Sequence, residues 1–197
     1  MEFSNGVRSE GNIEVRGQEM NVGNKSSLNC SEFMLRLLAF AFTLVAAIVL
    51  GVDKQTTVVP IQVVLAFPPL NVPVTAKWNY MSAFVYLEVT NAIACSYGAL
   101  SLILTLAIMG KKKWFYLMIV ILDLVVLVLL FSSTGAATAI GLIGYRGNSH
   151  VRWSKVCDVF DKFCHQVAAA IAISLLGSLA YLLLVVLAIL KLHKKYE

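Results

Sequence analysis

Residues 1–32 are polar and rich in Gly and Asn, and four long apolar stretches follow at about 33–51, 83–109, 114–143 and 166–190. Within each stretch the apolar residues run on continuously instead of alternating with polar ones, which excludes the pattern of a transmembrane β-barrel. A helix rising about 1.5 Å per residue needs about 20 residues to cross a hydrocarbon core about 30 Å thick, so every stretch is long enough to span. The second and third exceed that length and must tilt or protrude into the headgroup region. The pattern predicts an all-α membrane protein, a four-transmembrane-helix bundle over residues 33–190. Residues 1–32 lack helical apolar spacing and read as a disordered tail, and residues 191–197 read as a basic C-terminal segment. The tail also lacks the basic start, apolar run and cleavage site of a signal peptide, so the first span is expected to be retained.

The connections carry the orientation. Lys111, Lys112 and Lys113 fill the short link between the second and third spans, and Lys191, Lys194 and Lys195 follow the fourth. Both clusters belong on the cytosolic side, which puts both termini in the cytosol, although Arg146, Arg152, Lys155 and Lys162 in the last external loop oppose that bias. On this topology the sequons at Asn24 and Asn29 face the cytosol and are expected to stay unglycosylated. The first external loop holds all four prolines, Pro60, Pro68, Pro69 and Pro73, so it cannot be a regular span and reads as a short strand or a loop on the membrane surface.

Composition narrows the function. Of 197 residues 59% are hydrophobic and 14% charged, which leaves no room for a large soluble catalytic domain. The net charge of +5 comes from basic residues beside apolar runs. These fit anionic lipid headgroups better than nucleic acid, so the bilayer is an expected partner and nucleic acid is not. No nucleophile elbow, phosphate loop, dinucleotide fingerprint or zinc-protease helix occurs, and the three histidines are dispersed at His150, His165 and His193. Neither an enzyme nor a cofactor or metal is expected.

A few residues carry chemistry. Arg36 lies about one turn inside the first span and Asp123 ten residues after Lys113 in the third. An extended Arg side chain can narrow that difference in depth, and a lone intramembrane Asp costs about 2.5 to 3.5 kcal/mol even on the gentler insertion scale. The functional reading is an ion pair fixing the packing of the first and third helices; the alternative has Arg36 snorkelling to cytosolic phosphates and Asp123 protonated or solvated at an oligomer contact. Glu88, near the external end of the second span, reads as an interfacial carboxylate, or else as a partner of Lys54, Lys77 or a neighbouring subunit, or as a cation site. Cys157 and Cys164 lie in an external loop, where a disulfide is the economical reading. A metal site that adds His150 and His165 matches no standard zinc spacing. Cys30 is a candidate for reversible palmitoylation, against the alternative of an unmodified thiol. Trp153 is a candidate external contact, against an interfacial anchor. Small residues recur four apart at Ala94 and Gly98, Gly135 and Ala139, Ala137 and Gly141, and Ala170, Ser174 and Ser178, a spacing that lets helix backbones approach closely.

Four spans with an Arg in the first, an Asp in the third and a Cys-x6-Cys external loop resemble the plant Casparian strip membrane domain protein-like (CASP-like) family. The resemblance is carried by Met34-Leu35-Arg36-Leu37, by Phe131 through Ala137, by Gly147-Asn148, by Trp153 and by Cys157 through Cys164. Lys54-Gln55-Thr56 and Pro68-Pro69-Leu70-Asn71-Val72 are most similar to its 1E group. The resemblance implies a plasma-membrane tetraspan related to the MARVEL fold, with Arg36 and Asp123 at the family's hallmark positions. It further implies homodimers and heterodimers with related tetraspan proteins, and membrane platforms that direct local cell-wall modification through cell-wall-modifying partners. Strip-forming members carry a Glu-Ser-Leu-Pro-Phe-like stretch where this chain has Val58-Val59-Pro60-Ile61-Gln62, which argues against a role in the endodermal strip itself. The leading expectation is a non-enzymatic scaffold. Its rivals are a small channel or transporter subunit using Glu88 and Asp123, and an accessory subunit that traffics another membrane protein.

Overall fold

The structure is a computed structural model that describes residues 30–61, 70–107, 113–147, 150 and 155–194. Four helices long and apolar enough to cross a membrane are present: α1 (Cys30–Gly51), α2 (Ser82–Ala107), α3 (Lys113–Arg146) and α4 (Asp161–Lys194). Between α1 and α2 the chain forms an antiparallel hairpin of β1 (Lys54–Ile61) and β2 (Leu70–Lys77), then a single 3-10 turn at Trp78–Tyr80. Most of the expected tail, including Asn24 and Asn29, lies outside the described residues, as do Lys111, Lys112 and Lys195. The expected boundary at residue 33 moves: α1 already begins at Cys30. The fourth helix starts at Asp161, five residues before the expected Gln166, because its first turns are amphipathic and hydropathy does not count them.

The helices turn their smaller and more polar residues inward. On α1 the buried positions are Arg36, Ala39, Thr43, Ala46 and Leu50, alternating three and four apart, while Leu37, Leu38, Leu44, Val45 and Ile48 face outward. Steps of three and four residues also run down α4 through Phe163, Val167, Ala170, Ser174, Ser178, Tyr181, Leu184 and Ala188. This is the seam of a left-handed helix bundle, in which small residues allow close contact and the larger aliphatic side chains meet lipid. Gly98 illustrates the need: a Cβ there would stand 3.2 Å from the Tyr181 hydroxyl and 3.4 Å from Phe40 Cβ. Tyr181 uses that opening to donate to the Ala94 carbonyl at 2.9 Å. The stripe of Gly135 differs, since nothing lies within 4 Å of its Cβ direction and Ala139 is exposed.

Ala39, Ala94, Leu127, Leu130, Tyr181 and Leu184 belong to one apolar cluster. Leu50, Phe84, Leu87, Ala137, Phe163 and Val167 belong to a second, near the hairpin, where the Phe84 and Phe163 rings meet edge to face at 6.2 Å.

The hairpin pairs Lys54 with Lys77 through to Ile61 with Leu70. Pro60 and Pro73 fall in pairs of the same parity, opposite Asn71 and Val58. Proline donates no hydrogen bond, so the ladder stays intact when this parity is the one whose N–H positions point away from the partner strand. The Thr56 and Thr75 hydroxyls, 3.0 Å apart in the same set, fit the closer side-chain approach of such pairs. Proline in the loop therefore permits a regular hairpin, and each open edge carries one proline.

Docking of the hairpin completes the end of α1. A helix leaves its last four carbonyls without partners. Here the Ile48 carbonyl accepts from Val52 N at 3.2 Å and Leu50 from Asp53 N at 3.0 Å. Val49 accepts from Gln166 Nε2 at 2.7 Å, and Gly51 from Trp78 Nε1 at 3.0 Å. Gln55 on β1 accepts from the Phe163 backbone N–H at 2.8 Å. The far end is tied as well: Lys191 pairs with Glu32 at 2.8 Å and the Tyr116 hydroxyl donates to Glu32 at 3.3 Å. The start of α1, the start of α3 and the end of α4 thus lie at one end of an up-and-down bundle.

Candidate functional site

The first feature with chemistry in it is an ion pair inside the bundle. Arg36 Nη2 lies 2.7 Å from Asp123 Oδ2 and Nη1 donates to Oδ1 at 3.2 Å, a two-pronged pairing of guanidinium and carboxylate. Arg36 is 7% exposed and Asp123 0%, so this is a desolvated pair and not a snorkelling arginine beside a solvated acid. The α2 helix closes the site. Tyr97 donates its single phenolic proton over the shorter distance, 2.7 Å to Asp123 Oδ1, with the Ile119 carbonyl at 3.1 Å as its other acceptor. One turn later Ser101 accepts from Arg36 Nη1 at 3.2 Å and donates to the Gly98 carbonyl at 3.0 Å. Asp123 therefore receives three hydrogen bonds from two other helices. Such satisfaction offsets the cost of holding a charge in hydrocarbon.

A second polar layer lies closer to the hairpin by position along the helices, and reading the chain residue by residue had not singled it out. Thr90 donates to Ser133 Oγ at 2.7 Å, joining α2 to α3. The Asn91 side-chain amide donates to the Leu87 carbonyl at 2.9 Å and to Ser174 Oγ at 3.1 Å. Ser174 in turn meets Thr134 at 3.3 Å. One amide and two hydroxyls thus tie α2, α3 and α4 at a single level. The signal in the sequence is the recurrence of Ser, Thr and Asn, of which Ser174 enters through its small-residue spacing and Ser133 and Thr134 through the Phe131–Ala137 stretch. Asn91→Leu is expected to lower stability by about 0.6 to 1.7 kcal/mol, the range for interhelical hydrogen bonds in lipid, measured by thermal unfolding of the purified protein in nanodiscs.

The remaining candidates fall as follows. Cys157 and Cys164 are joined by a disulfide with Cα atoms 5.6 Å apart. This removes the metal reading, because bonded sulfurs offer no thiolate and His165 instead faces Asp161 at 3.4 Å on the exposed first turn of α4. Among the described residues no group of three His, Cys, Asp or Glu is placed to hold a metal. Glu88 is half-buried: its Oε2 is shielded from solvent without a hydrogen-bond partner, and its Oε1 lies 3.2 Å from the Cβ direction of Gly51. Lys77, one of its expected partners, extends over the Tyr80 ring, 6.0 Å from the centroid. Cys30 is exposed on the first residue of α1. Trp153 lies outside the described residues.

The fold and its interior define a four-span membrane protein in which Arg36 and Asp123, deep in the bundle, are spent on one another. The Casparian strip membrane protein domain matches residues 25–180. A CASP-like protein 1E1 of Glycine max is 61% identical over 184 residues, 93% of this chain and 98% of its own length. A CASP-like protein 1E2 of Vitis vinifera is 54% identical over 188 residues, covering 95% and 96%. A CASP-like protein 1E1 of Arabidopsis thaliana is 52% identical over 189 residues, covering 94% and 100%. The chain belongs to the CASP-like family of multi-pass plant membrane proteins. No solved structure matches it.

Proposed function

We propose that this chain is a non-enzymatic tetraspan scaffold of the plasma membrane, which self-associates and with related tetraspan proteins organises membrane domains that direct local cell-wall modification. Its termini face the cytosol, in keeping with Lys113 and Lys191 at the end of the bundle shared by both. The observation that carries the reading is the saturation of Asp123. Its carboxylate is consumed by Arg36 and Tyr97 of the same chain, which suits a latch between helices and leaves Asp123 unavailable to a passing ion. Large aliphatic side chains such as Leu37, Leu122, Val128 and Leu183 line the outer faces and are available to lipid and to neighbouring copies.

The test is lateral mobility. The tagged full-length chain at the cell surface is expected to recover from photobleaching several-fold more slowly than a freely diffusing four-span control, and to lie in patches. Fast recovery over a uniform distribution refutes the scaffold. Cation flux through liposomes holding the purified protein, abolished by Glu88→Gln, would instead establish the channel reading.

A further inference from the structure

Asp53 is a buried acid and Glu88 a half-buried one, and the ion-pair site uses neither. Asp53 follows the last turn of α1 and precedes β1, and the residue is only 2% exposed, with Oδ2 lacking any hydrogen-bond partner. Glu88 Oε2 on α2 is likewise shielded and unpartnered, and its other oxygen stands against Gly51, two residues before Asp53. Both acids thus flank the short stretch by which α1 hands the chain to the hairpin. An ionised carboxylate held this way, with no cation and no donor, carries a desolvation cost that nothing nearby offsets.

Among the described residues no ion pair reaches either acid. Lys54 of β1 and Lys77 of β2 face one another across the ladder, and Lys77 extends over Tyr80. Arg146 ends α3 and is exposed, while on α4 Asp161 and His165 engage each other. A metal ion suits the donor set poorly. Among the described residues no third His, Cys, Asp or Glu joins them in a metal-holding group, and the Gly51 carbonyl already accepts from Trp78. The proton is the ligand that fits, since it converts each acid to a neutral group that tolerates burial.

We infer that Asp53 and Glu88 form a proton-operated latch, which holds the hairpin on the bundle while both are neutral acids and loosens that junction when they ionise. Three contacts depend on the junction: Trp78 to Gly51, Gln166 to Val49 and Gln55 to Phe163. Burial pushes the Asp53 carboxyl up from 3.8 to about 6. A carboxyl whose pKa is higher in the docked state binds more protons there. Docking is therefore strongest below the ordinary carboxylate pKa, weakens as pH rises toward 6 and levels off above it.

Hydrogen exchange of the full-length protein in nanodiscs, read as protection factors so that the intrinsic pH dependence is removed, tests this between pH 4 and 7. Protection of the β1 and β2 ladder amides is expected to fall from about pH 4 to 6, by up to about tenfold per pH unit for each acid that titrates, while amides around Leu127 stay constant. Asp53→Asn with Glu88→Gln mimics the protonated acids and should hold the hairpin protected across the range. His165→Gln should leave the slope unchanged. Wild-type protection that does not vary with pH overturns the latch, as does a slope that persists in the double variant or disappears with His165→Gln. Each single variant provides the same reading if the double variant assembles poorly, with a reduced slope expected and an unaltered one counting against the proposal.

Discussion

Asp123→Asn is expected to destabilise the bundle by about 3 to 5 kcal/mol, the cost of leaving one member of a buried ion pair without its counter-charge. The amide keeps the shape of the carboxylate but not its charge, so Arg36 would remain as a desolvated cation beside Ser101. Thermal unfolding in nanodiscs measures the loss, and the fraction of tagged chain reaching the cell surface reports it in cells. Replacing both partners by apolar residues, Arg36→Met with Asp123→Leu, should return most of the stability. The two side groups have somewhere else to turn: Tyr97 can donate to the Ile119 carbonyl at 3.1 Å, and Ser101 already donates to Gly98 at 3.0 Å. A reversed pair, Arg36→Asp with Asp123→Arg, should recover less, because the Tyr97 hydroxyl would then point its proton at a cation. If Asp123→Asn unfolds within about 1 kcal/mol of the wild type, the ion pair is not what holds these helices.

The second large effect is expected from Cys157→Ser. The bond closes a sequence separation of 7, and chain entropy alone assigns a loop of that size about 2 kcal/mol. The consequence is local, because Phe160 and Phe163 between the cysteines are buried anchors and the Phe163 backbone is the donor to Gln55 on β1. Opening the bridge should speed proteolysis at the hairpin and at the start of α4, while the spans remain protected. Cys164→Ser and reduction of the wild type should give the same cleavage pattern. A protease-resistant hairpin in all three would show that the bridge does not position it.

Much of this was legible in the chain. Four uninterrupted apolar runs define four spans, because in lipid every backbone group must be satisfied within its own helix. Arg36 and Asp123 could be paired because no other charges sit as deep in the first and third helices, and burying either alone is costly. The ends of the helices were less visible. Asp161 through His165 carry charge on one side, so hydropathy gave them to the loop, although Phe163 faces the core from a regular helical turn. The layer of Thr90, Asn91, Ser133, Thr134 and Ser174 escaped notice for a related reason. Each is a polar residue that an apolar helix tolerates singly, and only their common burial reveals a network. Glu88 was read by depth alone, yet it is the direction of its side chain, toward Gly51, that sets its surroundings.

The two prolines of the hairpin reach beyond its own ladder. An extended ribbon ordinarily offers its rims to any chain that can lie alongside, which is how misfolded β-rich material seeds itself. Pro60 and Pro73 leave a gap in the row of donors on each rim, so a third chain would find neither side fully templated. In the proposed scaffold, crowding many copies into one patch of membrane carries little danger of fusing their ribbons, and contact between copies falls to surfaces embedded in lipid.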